Sequence, residues 1–282
     1  MMTDLSEVLA AESRTRRHVE PSPEKAIETE QRTCDTHGEY MAYGIQLFRR
    51  VCWNRCPGCQ AADVELIEKA KTEEQAKKNQ ARYEFALKES GIPRRFIGSA
   101  FDNYRAETEP QKRAVEVCRE FAASMPRLVG SGRSLVMSGM IGTGKSHLAC
   151  SIAKAAMFAG YSAEYVTCLD MIRAVRDTWR RASEKSEASV LHHFGRSLDL
   201  LVIDEIGVQY GTEGEQTILF DILDRRYNDL RPTVLISNAD KDGLNAYIGD
   251  RVFSRLRETA RWVSFDWDDF RPQARAAARG DA

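Results

Sequence analysis

Gly139-Met140-Ile141-Gly142-Thr143-Gly144-Lys145-Ser146 is a complete G-x-x-x-x-G-K-[ST] sequence. A short apolar run, Leu135-Val136-Met137, precedes it, and a helical pattern, His147-Leu148-Ala149-Cys150-Ser151-Ile152-Ala153-Lys154, follows. Strand, glycine-rich loop and helix in that order make an anion cradle. The glycines let successive backbone N–H groups turn inward around phosphates, and the helix start adds the positive end of its dipole. Lys145 is expected to reach the β- and γ-phosphates of a nucleoside triphosphate, and Ser146 to place its hydroxyl on Mg²⁺. Gly139, Gly142, Thr143, Gly144, Lys145, Ser146 and His147 form the expected nucleotide-binding set, with ATP and Mg²⁺ as cofactors.

Leu198-Asp199-Leu200-Leu201-Val202-Ile203-Asp204-Glu205 supports the same reading. A continuous apolar run is the pattern of a central parallel strand buried on both faces, so the expected class is α/β with a central parallel sheet. The carboxyl end of that strand delivers Asp204 beside the phosphate loop to hold the Mg²⁺ hydration shell. Glu205 is placed to polarise an attacking water. Thr233-Val234-Leu235-Ile236-Ser237-Asn238 reads as another buried strand, with Asn238 at its tip to sense the γ-phosphate or simply to end the strand. Further on, Arg251 and Arg255 share one face of a short helix; one reading is a finger reaching a neighbouring subunit's nucleotide, the other an ion pair with Asp250 or Glu258.

The helix expected over Leu169–Ala182 has Ile172, Val175 and Trp179 as an apolar stripe and Arg173, Arg176 and Arg180 as a second one beside it. The arginines suit a nucleic-acid backbone; snorkelling side chains on a soluble helix are the plainer account.

With 41 basic and 42 acidic residues among 282, the chain is nearly neutral, so any nucleic-acid surface must be local. No apolar run is long enough to span a bilayer, and the N-terminus lacks the pattern of a secretory signal; a cytoplasmic protein is expected. Of seven cysteines, four lie between positions 34 and 59. The knuckles Cys34-x-x-His37 and Cys56-x-x-Cys59 match a four-coordinate structural zinc, with Cys52 as an alternative ligand. Cys118, Cys150 and Cys168 read as small core residues. The expected organisation is a flexible arm over 1–33, a zinc-ribbon-like module over 34–60, a charged helical linker over 61–90, the nucleotide domain over 91–272 and a disordered tail over 273–282.

G-M-I-G-T-G-K-S-H-L-A, L-L-V-I-D-E-I-G, a strand ending Ser237-Asn238 and G-D-R-V-F-S-R-L, in that order, resemble the AAA+ ATPases of the DnaC-type replicative helicase loaders. Ser90-Gly91-Ile92-Pro93, Phe101-Asp102-Asn103-Tyr104 and the closing Trp262, Phe265-Asp266-Trp267 and Phe270-Arg271 are similar to that group too. The resemblance implies an AAA+ P-loop domain that binds ATP and single-stranded DNA, self-assembles, and delivers a DnaB-type replicative helicase onto DNA. It implies that Asn238 is the first sensor, Arg255 the trans-acting finger and Arg271 the second sensor. The Leu169–Ala182 helix falls where loaders and the related DnaA initiators carry an extra helix that contacts single-stranded DNA. Residues 1–89 lie outside the resemblance. An IstB-like transposase helper shares the G-K-S-H-L and D-E motifs and is the nearest alternative. A zinc-bearing DNA or protein adaptor that uses nucleotide only as a lock is the other, and the intact Lys145, Asp204, Glu205 and Arg255 argue against it.

Overall fold

The computed structural model describes residues 22–180, 183–207 and 212–270. Two compact units divide the chain, Met1–Asn79 and Gln80–Ala282.

In the first unit, β1 (Glu28–Cys34), β2 (Gly38–Leu47) and β3 (Arg50–Trp53) form an antiparallel sheet in that order. The sheet therefore begins inside the stretch expected to be an arm. Glu28-Thr29-Glu30-Gln31-Arg32-Thr33 carries no apolar pattern, and its order comes from backbone pairing with β2, Glu28 opposite Gly44 through Cys34 opposite Gly38. Helix α1 (Pro57–Glu89) starts at the second cysteine knuckle, four residues before the expected linker, and buries none of its side chains. A solvated helix is what its charge density predicts.

The second unit is built on a five-stranded parallel sheet: β4 (Ser134–Gly139), β5 (Ala163–Thr167), β6 (Leu200–Ile206), β7 (Thr233–Ser237) and β8 (Ala260–Phe265), in the order β5-β6-β7-β4-β8. Its helices are α2 (Glu109–Ala123), α3 (Met125–Leu128), α4 (Lys145–Phe158), α5 (Cys168–Asp177), α6 (Glu187–His192), α7 (Glu213–Asn228), α8 (Lys241–Ile248) and α9 (Asp250–Thr259). The continuous apolar strands divide residue by residue between the two faces of the sheet. Leu135, Met137, Leu200, Val202, Val234 and Ile236 join one buried cluster with Val117, Phe121, Leu148 and Ile152 from α2 and α4. Val136, Leu201, Ile203 and Leu235 join the other with residues of α5, α7, α8 and α9, among them Ile172, Leu219, Leu244 and Val252. Cys118, Cys150 and Cys168 are buried core residues, as expected.

Arg226 of α7 ties strand ends and loops of this unit together. It is 1% exposed and donates to Thr233 Oγ1 and to the carbonyls of Phe194, Leu198, Asp199 and Pro232. Burial pulls its pKa down to about 9.

Helix α5 is shorter than expected: it stops at Asp177, not Ala182. Thr178 Oγ1 donates to the Val175 carbonyl at 2.6 Å, and the Trp179 and Arg180 N–H groups turn back to Arg176 and Asp177 in three-residue steps. A hydroxyl that competes for the last carbonyls, followed by tightened turns, ends a helix. Trp179 accordingly leaves the apolar stripe and is 60% exposed.

Candidate functional site

The strand order decides where the chemistry gathers. Strand β7 lies between β4, which feeds the phosphate loop, and β6, which ends in Asp204-Glu205. The tip of β7 therefore sets Asn238 between the loop and the acidic pair, at the carboxyl ends of the parallel strands where such sheets bind ligands. Residues 141–147, Asp204, Glu205 and Asn238 line one cleft with about 450 Å³ of open space, closed on its other side by Phe96, Tyr104, Arg105, Trp267 and Phe270.

Asp204 and Glu205 are neighbours in a strand and would ordinarily point to opposite faces. A register shift between Ile203 and Ile206 and a φ of +59° at Glu205 change that. Bulges re-aim side chains next to active sites, and left-handed backbone at a non-glycine residue is strain that clusters at such places. Asp204 is 5% exposed and its Oδ1 accepts from the Glu205 N–H at 2.7 Å. Its Oδ2 accepts from Ser146 Oγ at 2.6 Å and from the Tyr165 hydroxyl at 2.5 Å. A hydroxyl and a carboxylate side by side are the hard oxygen donors that Mg²⁺ takes, so the residues fit that ion.

Lys145 begins α4 and is itself 5% exposed. Its Nζ donates to the Gly139 and Met140 carbonyls at 2.8 and 2.5 Å, which holds the ammonium over the loop. Gly144 has φ +91°, and a Cβ there would come within 2.4 Å of the Tyr104 ring; only glycine lets that ring close on the loop. The Tyr104 hydroxyl and Trp267 Nε1 both donate to the Thr143 carbonyl, at 2.7 and 3.1 Å. Burial pushes the Tyr104 phenol up to about 12, so it remains a donor. His147 lines the cleft, but its Nε2 pairs with the Ala100 carbonyl at 2.9 Å. Gly139 is set back from the cleft, its backbone packed against Phe265.

In the first unit, Cys34, His37, Cys56 and Cys59 converge, with all four ligand atoms within 4.8 Å of one another. Cys34 Sγ lies 3.5 Å from Cys59 Sγ and 3.7 Å from His37 Nδ1, and Cys59 Sγ lies 3.4 Å from that nitrogen. A tetrahedral zinc, with bonds of roughly 2.0–2.3 Å, keeps its ligand atoms about 3.5–3.8 Å apart. The residues fit zinc. Gly58 is required by approach: a Cβ would sit 2.7 Å from the His37 ring. Hydrogen bonding to the Thr36 backbone, then to His37, draws the Cys34 thiol down to about 6, whereas its hydrogen bond with Cys34 pushes Cys59 up to about 11. Cys52, the alternative ligand, stands exposed on β3 outside the group.

Residues 55–278 match the IstB-like ATP binding protein family. The chain belongs to this family. It is 37% identical over 183 residues to the replicative helicase loader DnaC of Escherichia coli strain K12, across 64% of this chain and 73% of that protein. With the replicative helicase loader DnaC of Buchnera aphidicola subsp. Baizongia pistaciae it shares 33% identity over 223 residues, 78% of this chain and 85% of that one. A solved DnaC helicase loader superposes with a TM-score of 0.55 at 21% identity, covering 62% of this chain and 100% of that structure. DnaA bound to AMPPCP and single-stranded DNA gives 0.54 at 21%, over 67% of this chain and 56% of that one. The fold is thus that of the AAA+ ATPases, and this IstB-like chain is an ATP-binding ATPase.

Arg255, Arg173, Arg176 and Arg180 are not among the residues that line this cleft. Arg255 of α9 is ion-paired with Asp224 of α7, not with Asp250 or Glu258, and its guanidinium lies 4.8 Å from the Tyr227 ring centre. Arg173 and Arg176 are on α5, but Arg180 is past its end. Each meets a carboxylate: Arg173 with Asp170, Arg180 with Asp177, both exposed, and Arg176 with the buried Glu215 at 3.5 Å. Arg271 falls outside the described residues. Among the described residues no helix is long and apolar enough to cross a membrane.

Tyr165, which does not line the cleft but donates to Asp204 from behind it, is the contact that the sequence reading missed. It is buried on β5, and burial first, then the Asp204 carboxylate, pushes its phenol far above the ordinary value, so it stays a donor. Its signal was faint: the tyrosine two residues before the end of a strand whose neighbour was not known.

Proposed function

We propose that this chain is an ATP-switched loader that delivers a ring-shaped, DnaB-type replicative helicase onto single-stranded DNA in the cytoplasm. The observation that carries the reading is the assembled cleft of Lys145, Ser146, Asp204, Glu205 and Asn238 in a chain 33% identical, over 78% of its length, to a protein named as a replicative helicase loader. In this reading Lys145 and the loop N–H groups hold the β- and γ-phosphates, while Ser146 and Asp204 hold Mg²⁺, which neutralises charge on the phosphates when bound. Glu205 orients and deprotonates the attacking water, and Asn238 reports the γ-phosphate to β7. Arg255 leaves Asp224 to reach a neighbouring copy's nucleotide, and Arg271 acts as the second sensor. The four-ligand cluster holds a structural zinc, and Arg173, Arg176 and Arg180 face the DNA backbone.

The test is retention of the host replicative helicase on immobilised full-length protein with ATP and Mg²⁺, followed by its release when hydrolysis proceeds. Retention supports loading. No retention, together with ATP-dependent capture of a transposase, would favour a transposase helper, the reading that the IstB-like family match keeps in play. Arg255→Ala should leave nucleotide binding intact and abolish turnover that rises with protein concentration; equal loss in dilute monomer would remove it from the trans role.

A further inference from the structure

The tip of the β2–β3 hairpin carries side chains that none of these roles uses. Leu47 pairs with Arg50, so Phe48 and Arg49 make a two-residue turn. Such turns call for left-handed backbone and usually recruit asparagine and glycine. Here Phe48 takes it, with φ +55°, and Gln46 Nε2 braces the turn on the Phe48 carbonyl at 2.9 Å. The residue is 98% exposed. Arg49 and Arg50 beside it are exposed and make no ion pair among the described residues. From Tyr40 to Ala62 the sequence holds three arginines and no acidic residue; Arg55 pairs with Asp63 of α1, and the nearest acid of the sheet in register, Glu28, lies opposite Gly44, three residues short of Leu47.

We infer that this tip binds single-stranded nucleic acid, Phe48 stacking on a base and Arg49 and Arg50 meeting the flanking phosphates. A protein contact of this size would ring the aromatic with apolar surface that excludes water; here the adjacent Leu47 is half-buried, and the exposed neighbours in sequence are Gln46, Arg49 and Arg50. An exposed π face with adjacent cations suits a base and its phosphates. The inference rests on the single-strand reading above and gives it a site in the first unit.

The experiment is fluorescence anisotropy of a labelled oligo-dT with full-length protein, ATP and Mg²⁺, using variants whose zinc content matches the parent. Phe48→Ala should weaken binding by about tenfold and Phe48→Trp restore it. The double change Arg49→Ala/Arg50→Ala should flatten the plot of log affinity against log salt by about 1.4, two phosphates' worth. Parental affinity in Phe48→Ala overturns the inference. So does loss confined to Arg173→Ala/Arg176→Ala, which leaves the loader reading standing with DNA elsewhere. Loss of helicase retention with DNA binding unchanged makes the tip a protein contact instead. No binding by the parent protein sinks the single-strand reading itself.

A separate observation concerns the cleft. Ser146 Oγ and the Tyr165 hydroxyl donate to the same oxygen, Asp204 Oδ2. When Ser146 turns to a metal, Tyr165 is the donor left on that oxygen, while the Glu205 N–H holds the carboxylate's other oxygen. The geometry points to Tyr165 as a positioning residue that sets how readily Asp204 accepts Mg²⁺. Tyr165→Phe keeps the ring and removes the donor. Titrating a fluorescent ATP analogue against Mg²⁺ should show half-saturation at roughly five- to tenfold higher Mg²⁺, with metal-free nucleotide affinity unchanged. A lower melting temperature with unchanged Mg²⁺ dependence would make the tyrosine merely structural.

Discussion

Ala42, Ile45 and Cys56 are the buried apolar side chains among the described residues of the first unit, whereas the second encloses an apolar cluster on each face of its sheet. Three such residues cannot offset the conformational entropy of a three-stranded sheet. On the zinc reading proposed above, the first unit depends on four side chains converging on one point, and the second on area buried along five strands. The first should be ordered or lost with its ligands; the second should tolerate single defects in proportion to what each removes.

The largest effect follows directly. Binding of a structural zinc is comparable to the folding free energy of a whole small domain, so a strong chelator, or Cys59→Ser, should abolish order in β1–β3. Metal analysis should read about one zinc per intact chain, and limited proteolysis should then cut within residues 28–56 while ATP still binds. Loss of ATP binding in Cys59→Ser with Mg²⁺ present would break the comparison, because it would make the second unit's site depend on the first's metal.

Within the second unit, function and stability should separate. Glu205→Gln should keep nucleotide affinity and lower turnover by about 10²–10⁴-fold, while Lys145→Ala should lose nucleotide binding. Normal turnover in Glu205→Gln would remove it from the water-activating role. Arg226→Met touches no cleft residue but removes five hydrogen bonds. At about 0.5–1.5 kcal/mol each, and with buried carbonyls left behind, a loss of about 3 kcal/mol or more is expected in urea unfolding. A change below about 1 kcal/mol would show that the carbonyls find other donors.

What could be read ahead of the structure divides along the same line. The phosphate loop, the apolar strands and the paired ligands are local signals, set by spacing within a few residues. Strand β1 was not legible because its pairing partner, not its own pattern, orders it. The end of α5 was missed because it turns on one hydroxyl, that of Thr178, competing for a carbonyl. Tyr165 and Asp224 were missed for a third reason: they meet Asp204 and Arg255 from neighbouring elements, and no single stretch of sequence records that adjacency.

The smallest expected effects fall on the arginine stripe, and there stability and recognition should rank the residues differently. Arg173 and Arg180 sit in exposed pairs, their side chains 62% and 80% accessible, and changing either to Ala should move stability by less than about 0.5 kcal/mol. Arg176 meets Glu215, whose side chain is 6% accessible, so Arg176→Ala should cost about 1 kcal/mol by weakening the contact of a buried carboxylate. Phosphate binding would not follow that order. Each arginine that meets a phosphate should lower the salt slope of single-strand binding by about 0.7 when removed, whatever it does to folding. If Arg173→Ala leaves both slope and stability unchanged while Arg176→Ala lowers only stability, the stripe is a soluble surface with one structural member. If Arg173→Ala flattens the slope without touching stability, the exposed pair with Asp170 is a resting contact that DNA replaces.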